Sequence, residues 1–324
     1  MGQPQAGSSV VRSVVSVARS LGAFLRLSRP KFLAGGIAGG ALGTALAAFE
    51  SGTLDWRAYA LAQLTICSFH LMTQYANEYF DREADALAVR TPFSGGSGAL
   101  VDGSVAPVVA LRAALVCASA GVLGTIALLW WADRPLAAAL AVAIGVLAWS
   151  YSAPPLRLLA RGLGEADTAL IVAVLVPLCA FAAGGRTVDA RAFASTMPAA
   201  AAMFAMMLAV EFPDAAADAA GGKRNLLVRF GPRTAVRLGI LAIAAVYAAA
   251  AAAVAFGAPP AFGLAIAASL PLGVGNARAL RERARPEFAA DAALAARGVA
   301  FFFVVAAFGA LAYAAAPGVL NRAW

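Results

Sequence analysis

Histidine occurs once in the 324 residues, at His70, which excludes any multi-histidine metal site. Cysteine occurs three times, at Cys67, Cys117 and Cys179, far apart and each inside an apolar stretch. No pair has metal-ligand spacing and nothing suggests a disulfide framework, so all three read as small buried hydrophobes. Charge is scarce as well: 13% of residues are charged, against about 25% in a soluble globular domain. Apolar residues reach 62% and recur along the whole length rather than in one tail. That excludes an ordinary water-soluble domain and makes the bilayer the natural solvent. The net charge of +8 then reads as basic cytoplasmic loops facing anionic headgroups, with membrane lipids as partners and no nucleic acid.

Crossing roughly 30 Å of hydrocarbon takes about 20 apolar residues as helix. Nine segments qualify, near residues 32–49, 58–76, 113–132, 135–153, 168–185, 192–210, 238–257, 260–277 and 298–317. Twenty of the 25 basic residues fall on one side of this arrangement, in the N-terminal segment and the even-to-odd loops. The positive-inside rule places that side, and the N-terminus, in the cytoplasm. Residues 1–9 are polar. Over residues 10–28, Arg12, Arg19 and Arg26 repeat every seven and share one helical face, while Val10, Val14, Val17, Leu21 and Phe24 share another. The arginines are spread through the segment and no polar cleavage region precedes the first span, so an interfacial amphipathic helix fits better than a signal peptide. Residues 1–28 therefore form a polar tail with that helix, and residues 29–324 the membrane domain.

Acidic residues are few, and their placement is informative. At the end of the second segment stands Asn77-Glu-Tyr-Phe-Asp81-Arg-Glu-Ala-Asp85. Asn77, Asp81 and Asp85 are four apart and stack along one helical face. Like charges at a membrane-facing helix end are costly unless a cation joins them, and oxygen ligands of this kind suit Mg2+. A second copy ends the sixth segment: Glu211-Phe-Pro-Asp214-Ala-Ala-Ala-Asp218. One DxxxD is usually a solvated helix face. Two copies, four segments apart and on the same side, point to two related four-helix halves whose sites share a central cavity. The expected fold is all-α: a polytopic membrane protein of nine transmembrane helices in two pseudo-repeated halves. Gly221-Gly222-Lys223-Arg224-Asn225 follows the second copy. Lys223 and Arg224 either bind diphosphate oxygens left exposed by a cation, or merely set topology.

These motifs resemble those of the UbiA superfamily of intramembrane prenyltransferases, whose signatures are NxxxDxxxD and DxxxD. Leu226-Leu-Val-Arg-Phe-Gly231, Leu27-Ser-Arg-Pro-Lys31, Tyr151-Ser-Ala-Pro-Pro-Leu-Arg157 and Arg161-Gly-Leu-Gly-Glu165 are similar to further family stretches, and the likeness covers about residues 26–300. It implies Mg2+-dependent transfer of an isoprenoid chain from a prenyl diphosphate to an acceptor. The magnesium set it implies is Asn77, Asp81, Asp85, Asp214 and Asp218, with Lys223 and Arg224 on the diphosphate. Relatives acting on 4-hydroxybenzoate or haem often carry Arg-Thr-x-x-Arg-Pro-Leu after the first motif. Here the chain reads Arg90-Thr-Pro-Phe-Ser-Gly-Gly-Ser-Gly98, which looks more like the branch acting on 1,4-dihydroxy-2-naphthoate in menaquinone synthesis. Glu211 and Asn225 stand where relatives often have Asn and Thr, and neither change removes a magnesium carboxylate.

Further candidates follow from chemistry. Tyr75, Tyr79 and Tyr151 either offer π-faces to an allylic cation or belong to an interfacial belt. His70, on one face with Asn77 and Gln63, is either a cavity wall facing the acceptor or a hydrogen-bonded core residue. Arg157 belongs to a loop suited to positioning the acceptor. A secondary transporter would share the repeat and buried carboxylates, but its ionisable groups should lie near mid-membrane rather than at helix ends. Other acceptors, such as 4-hydroxybenzoate, haem or a lipid glycerol phosphate, keep the fold and change the product.

Overall fold

The computed structural model describes residues 20–88, 90–93, 95–283 and 292–316. The polar tail, the first half of the amphipathic segment with Arg12 and Arg19, Arg285, Arg322 and the end of the ninth segment lie outside the described residues. Within them all regular structure is helical. Helix α1 covers residues 20–28, α2 Leu33–Ser51, α3 Trp56–Asp85, α4 Pro107–Trp130 and α5 Pro135–Ser150. Then come α6 Gly164–Ala183, α7 Ala190–Glu211, the short α8 Ala215–Ala220 and α9 Leu226–Ala255. The chain ends with α10 Pro260–Ala267, α11 Leu270–Arg283 and α12 Ala292–Ala314.

Each expected span falls on one of these helices, the eighth being divided between α10 and α11. Six helices are long and apolar enough to cross a membrane, or seven if the bent α10–α11 pair counts as one. Helix α5 has 16 residues, about 24 Å of helix. Helix α3 has 30, but Gln63, His70, Gln74 and Asn77 lower its hydropathy. By length and composition the described residues thus give six or seven spans, and nine if α3 and α5 cross as well.

Local chemistry sets the helix ends. The Asp55 and Asp189 carboxylates cap α3 and α7 by accepting from the Ala58 and Ala192 N–H groups at 3.1 and 2.7 Å. Proline opens α4, α5 and α10, where its missing N–H is harmless. Pro271, by contrast, prevents α10 running into α11, and the two meet at 42°. Helix α9 breaks at Gly231-Pro232, where Gly231 has φ 78°, so its first turn is separate from the long apolar rod expected from residue 238.

The helices close into a ring. Helix α3 packs on α4 and α5, α7 on α9 and α12, and α2 joins the halves by lying against both α6 and α12. Two glycines on α2 permit that junction. A Cβ at Gly39 would stand 2.6 Å from the Val172 carbonyl oxygen, and one at Gly43 1.9 Å from that of Pro177. Backbone therefore meets backbone there, as at small-residue contacts in membrane bundles. The facing part of α6 carries a π-helical turn, Ile171–Leu175. Outside the ring, Val116, Leu123, Leu241 and Leu264 are exposed, as lipid contact requires. Trp56, Trp130 and Trp131 are exposed at the end opposite the acidic motifs, where an aromatic belt belongs. The described part of α1 packs Ala23 and Leu27 onto the bundle and stacks Phe24 on Tyr75, leaving Leu21 and Leu25 exposed.

Candidate active site

Helix α3 runs unbroken through its acidic motif, so Asn77, Asp81 and Asp85 rise along one face as the spacing requires. The second copy is built differently. After Glu211 the chain leaves α7 in a turn containing Pro213, and Asp214 immediately precedes the short α8 that carries Asp218. The two motifs converge at one end of a cavity of about 400 Å³. Asn77, Asp81, Asp85, Asp214, Asp218 and Lys223 all line it. Its other end is apolar, walled by Ile66, Val172, Met203, Met206, Phe302 and Phe303, so one chamber has a charged mouth and a greasy interior.

Lys223 ties the motifs together. Its Nζ lies 3.1 Å from Asp81 Oδ2 and 3.3 Å from Asp218 Oδ1. Burial by itself would lower the pKa of this ammonium, but Asp81, Asp218 and Asp85 around it hold it above the ordinary lysine value. Burial pushes Asp218 up, against the opposing pull of Lys223. A cation between two carboxylates from different motifs is what the donor set calls for, and Lys223 supplies one. The groups at the mouth able to ligate an ion are oxygen donors, which fits a hard divalent ion. Among the described residues, no three acidic, histidine or cysteine side chains stand close enough to hold a metal by themselves. An ion here would take a carboxylate or two and complete its shell with water and phosphate oxygens, the habit of Mg2+. This refines the expectation of three side-chain ligands from one helix face. The Asn77 amide instead donates to Asp81 Oδ2 at 2.7 Å and Ser152 Oγ at 3.0 Å.

A second shell of contacts was not legible from spacing. The Gly95 N–H donates to Asp214 Oδ2 at 3.0 Å, and a Cβ on Gly96 would lie 2.3 Å from Asp85 Oδ2. The glycine-rich loop after the first motif thus lies across a carboxylate of each motif. Glu78 anchors it: its two oxygens accept from the Ser97 N–H and Oγ–H at 2.6 Å each, with Arg29 Nη1 3.6 Å away. Asn225 caps α9 through the Val228 N–H at 2.9 Å and donates to Asp218 Oδ2 at 2.8 Å. Glu165 Oε1 accepts from the next amide, Leu226 N–H, at 2.7 Å. Arg29 and Lys31 line the mouth as further cations.

Of the other expected contacts, Tyr151 and His70 line the cavity. Arg224, Arg157 and Tyr79 do not. Arg224 follows Lys223 in the irregular stretch before α9; its side chain is exposed, while its N–H bonds the Ala160 carbonyl at 3.2 Å. Arg157 is exposed on the outer side of its loop, in a left-handed backbone conformation. Tyr79 lies two positions from Asn77, on another face of α3, against Phe80 and Arg82. Tyr75 bonds Ser28 at 2.7 Å outside the cavity.

No curated protein matches the chain by sequence. Solved structures do match by fold. A UbiA homolog from Archaeoglobus fulgidus bound to GPP and Mg2+ superposes with TM-score 0.67 at 15% identity, covering 90% of this chain and 99% of that one. A UbiA homolog from Aeropyrum pernix K1 gives TM-score 0.64 at 15% identity, covering 84% and 96%. A digeranylgeranylglyceryl phosphate synthase gives 0.61 at 15% identity, covering 93% and 99%. The model of the UbiA prenyltransferase family matches residues 37–293, which include both acidic motifs and the loops between them. The chain belongs to the UbiA prenyltransferase family.

Proposed function

We propose that this prenyltransferase moves the prenyl group of a prenyl diphosphate onto an aromatic quinone precursor of the 1,4-dihydroxy-2-naphthoate type, with Mg2+ as cofactor. The observation that carries the proposal is the convergence of four carboxylates from two motifs, with Lys223 between them, on the mouth of an apolar chamber. Mg2+ bound by Asp81, Asp85, Asp214 and Asp218 would neutralise the diphosphate and make it a better leaving group. Lys223 holds a positive charge where the bridging oxygen gains negative charge. The bond between that oxygen and the allylic carbon breaks, its electron pair leaving with the diphosphate. The aromatic carbon forms the new carbon–carbon bond and then loses its proton, restoring the ring. Met203, Met206, Phe302 and Phe303 give the tail a dry chamber in which water does not quench the cation. Tyr151 lines the same chamber and can turn its ring to the cation, and His70 faces the apolar end.

The acceptor class rests on the Gly95–Gly98 loop, which closes over the carboxylates in place of an arginine-bearing run. Membership in a prenyltransferase family removes the transporter reading. The twenty-to-five split of basic residues supports a cytoplasmic N-terminus and a mouth opening to the cytoplasmic side of the inner (cytoplasmic) membrane. The test is purified protein incubated with geranyl to decaprenyl diphosphates and a panel of acceptors, including 4-hydroxybenzoate and a glycerol phosphate lipid, with and without EDTA. Mass spectrometry should find a prenylated dihydroxynaphthoate product that EDTA abolishes. A product formed only on another acceptor refutes the acceptor assignment.

A further inference from the structure

Helix α3 turns one polar face to the chamber: His70, Gln74, Asn77, Asp81 and Asp85 all line it, three or four residues apart. The rungs nearest the mouth have partners. Asp81 meets Lys223, and Asn77 gives its amide hydrogens to Asp81 and Ser152. The two inner rungs differ. Among the described residues, neither the His70 imidazole nor the Gln74 amide has a hydrogen-bond partner. Both side chains are only partly buried, and none of their nitrogen or oxygen atoms is sealed in the packing, as the Gln63 oxygen is. Helix α2 makes room for the imidazole, since a Cβ on Gly36 would stand 3.0 Å from its Nδ1. Polar groups inside a membrane-spanning helix are costly without a partner, and those that face a cavity mark what the cavity takes.

Depth decides between the two substrates. The diphosphate belongs beside Asp81 and Asp85, and at 1.5 Å per residue Gln74 lies about 10 Å and His70 about 16 Å deeper than Asp81. At that depth the donor is hydrocarbon and offers neither group a partner, while water would quench the allylic cation. The tail fits Met203, Met206, Phe302 and Phe303 on α7 and α12, which leaves the polar face of α3 to the acceptor ring. His70 and Gln74 are one helical turn apart, about 6 Å along the axis, comparable to the separation of two para oxygens on one ring. A neutral imidazole and a carboxamide each offer both a donor and an acceptor, so each can pair with a hydroxyl.

We propose that His70 and Gln74 are specificity-determining residues: they hydrogen-bond two para oxygen substituents of the acceptor, one each, and hold its ring against α3 with a carbon turned to the allylic centre. The proposal rests on the prenyl-transfer reading and gives its acceptor a seat. A site built to pair a hydroxyl rejects an analogue lacking it far more strongly than an apolar pocket does.

The experiment measures equilibrium binding, without donor, of 1,4-dihydroxy-2-naphthoate and of its two analogues that each lack one ring hydroxyl, to wild type, His70→Leu, His70→Gln and Gln74→Met. Steady-state kinetics with the dihydroxy acceptor accompany it. His70→Leu should bind the dihydroxy acceptor about ten-fold or more weakly, with the prenyl diphosphate KM within about two-fold of wild type. It should lose as much on the analogue that keeps the oxygen His70 meets, and little on the other. Gln74→Met should show the opposite pattern between the two analogues. His70→Gln, which still donates and accepts, should recover part of the loss. Unchanged binding, an equal loss on all three acceptors, or a loss confined to the donor KM would overturn the proposal. Failure of all three variants to fold would do so too, by assigning both residues to structure. If wild type prenylates no aromatic acceptor at all, the functional reading itself has failed, and that result is separable from the others.

Discussion

Replacing Lys223 with alanine removes the only described ammonium that touches both acidic motifs, and two consequences follow from its geometry. Its Nζ lies 3.1 Å from Asp81 and 3.3 Å from Asp218 and neutralises them. In the proposed donor complex the same charge would face the diphosphate. A charge-assisted contact of this kind is worth about 1.5–3 kcal/mol. Lys223→Ala should therefore lower kcat/KM for the prenyl diphosphate roughly ten- to 150-fold, with the acceptor KM little changed. The second consequence has the opposite sign. Two partly buried carboxylates left facing each other bind a divalent ion more readily, so half-saturating magnesium should fall or stay level. For the same reason the variant should melt earlier than wild type in EDTA and recover when magnesium is added. Arg224→Ala is the internal control: its side chain is exposed outside the cavity, so its donor kinetics should stay within about two-fold of wild type. Steady-state kinetics with each substrate and magnesium varied in turn decide the matter. Donor parameters unchanged in Lys223→Ala, or an equal loss in Arg224→Ala, would refute the assignment of Lys223 to the leaving group.

Asp81→Ala and Asp214→Ala should each abolish prenyl transfer while the protein stays monodisperse in detergent, as product assays and size-exclusion chromatography would show; near-normal turnover in either would rule out a two-motif cation site. Gly96→Ala should raise the magnesium requirement several-fold, because its Cβ meets Asp85 Oδ2 at 2.3 Å and its φ of 65° strains any other residue; an unaltered magnesium titration would show that the loop does not shape the site. Single cysteines at Asp133 and Arg281, in a background lacking Cys67, Cys117 and Cys179, should react with an impermeant thiol reagent on intact cells at position 133 only. Labelling at position 281 alone would invert the topology.

Much of this protein was legible in its amino-acid order, because the bilayer imposes a one-dimensional code. Apolar runs of helical length, a skewed distribution of basic residues and two acidic motifs in equivalent places are all local patterns. They led to an all-helical membrane protein and to Asp81, Asp85, Asp214, Asp218 and Lys223 on one cavity, since a helix carries residues four apart on one face wherever it sits. Adjacent residues are another matter. Lys223 and Arg224 look alike as a pair of cations, yet in the irregular stretch before α9 the first meets Asp81 and the second is exposed. Tertiary structure also decided what surrounds each of two matching glutamates. Glu78 meets Ser97 because a loop of about twenty residues folds back over α3, whereas Glu211 lies against the Glu165 carboxyl of α6 and the Leu227 N–H of α9. Loop return, helix contact and side-chain satisfaction join residues far apart in the chain, and no local period encodes them. Spacing along a helix determined which groups could share a site; the packing of α2, α6 and α7 decided which of them face it.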